Sequence, residues 1–142
     1  MPTPASLDQF VLERANPDGT TQYNKTTLAA IPAETVGSSA AVQTLTDGAT
    51  VAWDAGLGAY AKLTLGGNRT LSAPTNLVNG RIYTLELIQD ATGSRTVTWN
   101  AAFVWSGATA PTLTTTATRR DIIRFVASGG KLYGTGTTLN FV

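Results

Sequence analysis

With 142 residues the chain suits one domain plus a short appendage, and a globule of this size buries roughly two-thirds of the surface its unfolded chain exposes. Charged residues make up 13% and the net charge is +1, which leaves no electrostatic footprint for nucleic acid. With no Cys and no His, structural zinc sites, thiol nucleophiles, disulfides and Ser-His-Asp triads are excluded in their usual forms.

The opening Met1-Pro2-Thr3-Pro4-Ala5-Ser6 has neither a basic region nor an apolar run, so no Sec signal is read there. No stretch approaches the roughly 20 apolar residues of a membrane span, so a soluble protein made in a cytoplasm is expected. Phe10-Val11-Leu12-Glu13-Arg14 is a short strand-like run, and Asn16-Pro17-Asp18-Gly19 is a turn signal. Proline presets φ at one turn position, and glycine accepts the positive φ that another needs. Thr20 to Lys25 returns as a second strand, and Thr27 to Ile31 gives at most a helical turn stopped by Pro32. Glu34 to Ala41 is small and polar, as a linker would be. Residues 1–41 therefore read as a hairpin or extended anchor with a tether, and residues 42–142 as a separate domain.

From Val42 onward, strand and turn signals alternate at the spacing of a β-sandwich or jelly roll, and the 25 threonines favour a pleated, half-buried surface. Ala49, Val51 and Trp53 share one face of the first strand. Ala61, Leu63 and Leu65 share a face of the next, and Gly66-Gly67-Asn68 turns into Thr70-Leu71. Arg81 to Gln89 is the strongest strand, with Tyr83, Leu85 and Leu87 on one side and Ile82, Thr84, Glu86 and Ile88 on the other. Both faces are substantially apolar, which predicts a central strand or one face covered by another subunit. Asp90 to Ser94 is read as a hairpin turn into Arg95–Trp99, with Gly93 at positive φ. Phe103–Trp105 is a short strand or corner, and Gly107–Thr118 a loop. Asp121–Ala127 is a strand with Ile123 and Phe125 on one face, Lys131–Tyr133 follows a Ser-Gly-Gly turn, and Thr138–Val142 is the last strand. No amphipathic helix longer than one or two turns is read, so the fold class is all-β, a β-sandwich or jelly-roll-like domain.

Candidate sites are few. Three tryptophans raise a carbohydrate reading; Trp53 falls in a core pattern, and Trp105, before a loop, is the one placed best for receptor contact. Asp47, Asp54 and Asp90 stand at strand ends, where Asp beside Gly most often forms a turn, and no metal or cofactor site is read from them. Gly66-Gly67-Asn68 lacks the following helix and Lys of a phosphate loop. Arg119, Arg120 and Arg124 form a solvated face or an intersubunit ion pair.

Ala49-Thr50-Val51-Ala52-Trp53-Asp54, then Leu63 to Leu71, Pro74-Thr75-Asn76-Leu77 and Gln89 to Trp99 resemble the C-terminal β-domain of bacteriophage virion proteins, chiefly fibres and head-decoration proteins. The resemblance covers about 100 residues, Thr44 to Val142. It implies a non-enzymatic, trimeric module displayed on the virion surface and assembled in the host cytoplasm. Leu7 to Ile31 is similar to attachment segments of such proteins, so Phe10, Val11, Leu12, Tyr23, Leu28 and Ile31 are the expected docking residues, against the major capsid protein or another virion protein. The chain lacks a long shaft, coiled-coil heptads and a collagen-like repeat, which points to head decoration, with a tail-fibre or collar-fibre module touching host glycan or protein as the alternative. Neither nucleic acid nor a membrane is an expected partner.

Overall fold

The structure is a computed structural model that describes residues 12–15, 21–24 and 41–142. The chain divides into two compact units, Met1–Ser39 and Ala40–Val142. In the first, β1 (Leu12–Ala15) pairs antiparallel with β2 (Thr21–Asn24), the hairpin expected around Asn16–Gly19. Phe10, Val11, Leu28 and Ile31 lie outside the described residues. Leu12 stands opposite Asn24 and Tyr23 opposite Glu13 in that pair.

The second unit is all-β. Its strands are β3 (Val42–Thr44), β4 (Thr50–Val51), β5 (Tyr60–Leu65), β6 (Arg69–Leu71), β7 (Ile82–Gln89), β8 (Val97–Trp99), β9 (Phe103–Val104), β10 (Arg120–Ser128) and β11 (Lys131–Phe141). Among the described residues they form a six-stranded sheet, β3-β5-β7-β10-β11-β9, and a three-stranded sheet, β4-β6-β8. Both sheets contribute to one core. No described helix is long and apolar enough to cross a membrane.

The alternating patterns are borne out, except that Ala49, grouped with Val51 and Trp53, lies before β4 and is exposed. Ala61, Leu63 and Leu65 on β5, Tyr83, Leu85 and Leu87 on β7, and Ile123 and Phe125 on β10 are all buried. β7 lies between β5 and β10, the central place expected for it. Trp53 packs edge-on against Tyr83 at 6.1 Å and Phe125 at 6.4 Å between ring centroids, which settles its core role.

The connections differ from the expected hairpins. β3, β5 and β7 run parallel, Val42 opposite Tyr60 and Tyr60 opposite Thr84. β4, β6 and β8 are also parallel, Thr50 opposite Thr70 and Thr70 opposite Thr98. The chain therefore coils: each turn lays one strand in the large sheet, rounds a corner, lays one in the small sheet and returns. Parallel neighbours need a crossover rather than a two-residue turn, and here the second sheet supplies it. Asp90–Ser94 is accordingly a corner between sheets, not a hairpin turn. The hairpin β10–β11 follows the coils, pairing antiparallel with β7 through β10.

Candidate functional site

The corners carry the polar chemistry. The Arg69 guanidinium, at the start of β6, donates from Nε and Nη2 to Asp47 Oδ1 and Oδ2 at 2.7 and 2.6 Å. This bidentate pair joins the first coil to the second, and Gly66 and Gly67 leave room for it. Asn68 Oδ1 accepts from Thr96 N at 3.0 Å, joining the second coil to the third. In the third corner Asp90 Oδ1 accepts from Thr92 N and Gly93 N, and Oδ2 accepts from Arg95 Nε and Nη2. The Gln89 side chain bonds both backbone N and O of Arg95.

The Arg69 hydrogen bonds hold the Asp47 carboxyl below its ordinary value, and the Arg95 hydrogen bonds do the same for Asp90, each against a smaller opposing effect of desolvation. A depressed folded pKa gives stability that is complete above the ordinary carboxylate value near 3.8 and is lost as pH falls through the lower folded value. Thermal unfolding followed from pH 7 downward should thus show a midpoint steady to about pH 5 and falling below about pH 4. A D47N/D90N double variant should start lower at pH 7 and fall less steeply. An unchanged slope in that variant would mean that other carboxylates carry the acid sensitivity. Both pairs are solvent-facing, so high salt should reproduce part of the loss at neutral pH.

Asp54 Oδ1 accepts from Gly56 N at 2.9 Å and Asn76 Nδ2 at 2.7 Å, capping the short 3-10 turn Ala55–Leu57. All three strand-end aspartates therefore act as corner formers. On the outer face of the large sheet, Glu86 accepts from Tyr60 Oη and Arg120 Nη1, each at 2.9 Å. Arg120 thus finds its carboxylate within its own chain, where the sequence left an intersubunit pair open. No group of three or more Asp or Glu side chains placed to hold a metal ion occurs among the described residues.

Trp105 is half-buried, not the free indole that its place before a loop suggests. Its ring meets Trp99 at 4.9 Å and Phe125 at 5.5 Å, and its six-membered ring lies over Gly134. Two shallow clefts flank this aromatic pair and share Pro111. One, of about 230 Å³, is lined by Arg95, Val97, Trp99 and Leu113. The other, of about 270 Å³, is lined by Trp105, Ser106, Thr109 and Thr135. Each is smaller than an ordinary ligand pocket and is lined by apolar side chains together with threonines. The threonine lining was hidden in the sequence because Thr109, Thr112, Thr135 and Thr137 come from two separated segments.

Residues 15–131 match the sequence profile of a family described as "Putative phage tail fibre C-terminal domain". No curated protein and no solved structure matches the chain.

Proposed function

The chain belongs to this family of phage tail fibre C-terminal domains, and from that premise we propose that it is the host-facing module of a virion fibre. Membership makes it a virion component of phage origin with a structural role. The match carries the proposal, and it favours the tail-fibre alternative over capsid decoration. The engaged carboxylates support a non-enzymatic part: Asp47 and Asp90 are held by arginines, Glu86 by Tyr60 and Arg120, and Asp54 by Gly56 and Asn76. The two clefts beside Trp99 and Trp105 are the proposed contact with host glycan or protein, and Phe10, Val11, Leu12, Tyr23, Leu28 and Ile31 the proposed contact with the rest of the virion.

A homotrimer is part of this reading. Ile82, Ile88, Ile122, Val126 and Tyr133 leave the outer face of the large sheet with partly or fully exposed apolar side chains, as a surface shared between copies would.

Adsorption tests the function. Pre-incubating host cells with the purified chain should slow phage adsorption in proportion to dose, because the free module occupies the same receptor. Unchanged adsorption, together with binding of the chain to capsids that lack it, would return the protein to capsid decoration.

A further inference from the structure

Asp121 is the remaining acidic side chain of the second unit and its most deeply buried one, 2% exposed. β10 turns it inward, on the face that carries Ile123 and Phe125. A carboxylate placed there is costly unless its oxygens are satisfied. Among the described residues no arginine or lysine bridges it. Instead Oδ2 accepts from Thr114 N at 2.7 Å and Oδ1 accepts from Asn140 N at 3.0 Å.

Both donors are groups that regular structure leaves over. The β10–β11 pairing steps from Ile122–Thr138 to Arg120–Phe141, so Leu139 and Asn140 together stand opposite Asp121. In this bulge Asn140 has φ 66°, and its N–H goes to the carboxylate. Thr114 lies in the irregular segment that follows Ala108. From Thr109 to Leu113 no backbone group bonds to another segment among the described residues, so the bond to Asp121 is the first fastening of that stretch.

The two donors stand just beyond the two walls of one cleft. Pro111, shortly before Thr114, lines both clefts, and Thr109 lines the one beside Trp105. Gly134–Thr137, shortly before Asn140, line that same cleft from β11. We propose that Asp121 is a positioning residue of the host contact: its two oxygens hold the loop wall and the β11 wall at one spacing. It lines neither cleft, so it acts through the walls and not by touching the ligand. Asp47, Asp54 and Asp90 each tie one corner of the coil, whereas Asp121 joins opposite sides of a single cleft. Walls fixed in advance lower the ordering cost of binding. The inference rests on the host-contact reading of the clefts and adds the group that sets their shape.

Amide hydrogen exchange in the unmodified full chain should show Thr114 and Asn140 protected, while Thr109 and Thr112 exchange freely. Asp121→Asn keeps the side chain's size but offers one acceptor to two donors, so Thr114 or Asn140 should exchange at least about tenfold faster. At a temperature where the variant is fully folded, several-fold more of it should be needed to slow phage adsorption. Thr114→Pro deletes the loop donor alone, leaves the Asn140 bond in place and should raise the dose likewise. Gly80→Ala controls for stability: its φ of 81° makes the substitution strained, it lines neither cleft, and its dose should match that of the unmodified chain. Fast exchange at Thr114 in the unmodified chain would overturn the clamp. An unchanged dose for both Asp121→Asn and Thr114→Pro, or an equal rise for Gly80→Ala, would overturn the positioning role and leave Asp121 a residue of the fold alone. No slowing of adsorption by the unmodified chain at any dose would instead remove the host contact itself, and this role with it.

Discussion

Replacing Phe125 with alanine is expected to lower the unfolding free energy by about 3–5 kcal/mol. Phe125 is fully buried in the middle of β10 and is where the aromatic side chains meet: Trp53 at 6.4 Å, Phe103 at 5.7 Å and Trp105 at 5.5 Å. These partners come from the segment after β4, from β9 and from the residue following β9, so the cavity would open among four parts of the chain that cannot collapse together. A domain's total stability is typically about 5–15 kcal/mol, so this one truncation removes a large share of it. Urea unfolding followed by tryptophan fluorescence would read the effect as a lower midpoint with an unchanged slope. A loss below about 1 kcal/mol would mean that the core repacks around the gap. On the proposed function the same substitution should also weaken the host contact, since Trp105 packs against Phe125 and lines the cleft of about 270 Å³.

The facing of each strand was legible in the sequence, and the neighbour of each strand was not. Period-two alternation says which side chains point inward, so Leu63, Tyr83, Leu85 and Ile123 were placed correctly. The same alternation is silent on whether Leu65 and Leu71 belong to one sheet or two. In the structure the corner Gly66–Asn68 separates them into different sheets, and the β6 partners are β4 and β8. β11 was read as two short strands because Gly134 and Gly136 interrupt the pattern, yet pairing with β10 carries the strand through both glycines. The site was less legible still. Trp105 looked exposed because its partners Trp99 and Phe125 lie in other segments, and the fold alone brings them within 4.9 and 5.5 Å. The pairing of Glu86 with Arg120 likewise depends on the β7–β10 register, which local sequence does not set.

The coil explains why a domain with so little charge can present a defined surface. Each corner is locked to the next by a side chain, Asp47 to Arg69 and Asn68 to the Thr96 backbone, so the cleft beside Trp99 stands on a rigid column. The loop that forms the other wall of that cleft, Pro111–Thr115, is tied to the third corner by Ser94 N donating to Thr115 O at 2.7 Å. Rigid placement of a few groups reduces the ordering cost of binding, which matters for shallow sites that bury little area.

Substituting Gly93 with alanine tests that third corner and should be strongly destabilising. Gly93 has φ 74°, a left-handed conformation that costs an alanine about 1–2 kcal/mol. Its added Cβ would also stand 2.6 Å from Thr115 O and 2.7 Å from Ala117 N, both backbone atoms that cannot rotate aside. Overpacking of that kind adds about 1–3 kcal/mol, for a combined loss of about 2–5 kcal/mol. Three bonds fasten the 115–119 segment to this corner: Ser94 N to Thr115 O, Thr118 N to Asp90 O and Gln89 N to Arg119 O. Pushing that segment away would strain all three, along with the Asp90–Arg95 pair. Gly80 provides the comparison, because its φ is 81° but a Cβ there would meet nothing within 4 Å. Gly80→Ala should therefore cost only the backbone strain, about 1–2 kcal/mol. At roughly 4–8 °C per kcal/mol for a unit of this size, the melting midpoint of G93A should fall clearly further than that of G80A. Equal falls would show that the Thr115–Ala117 segment yields to the new methyl, and the Pro111–Thr115 wall of the cleft would then be a movable flap instead of a fixed side.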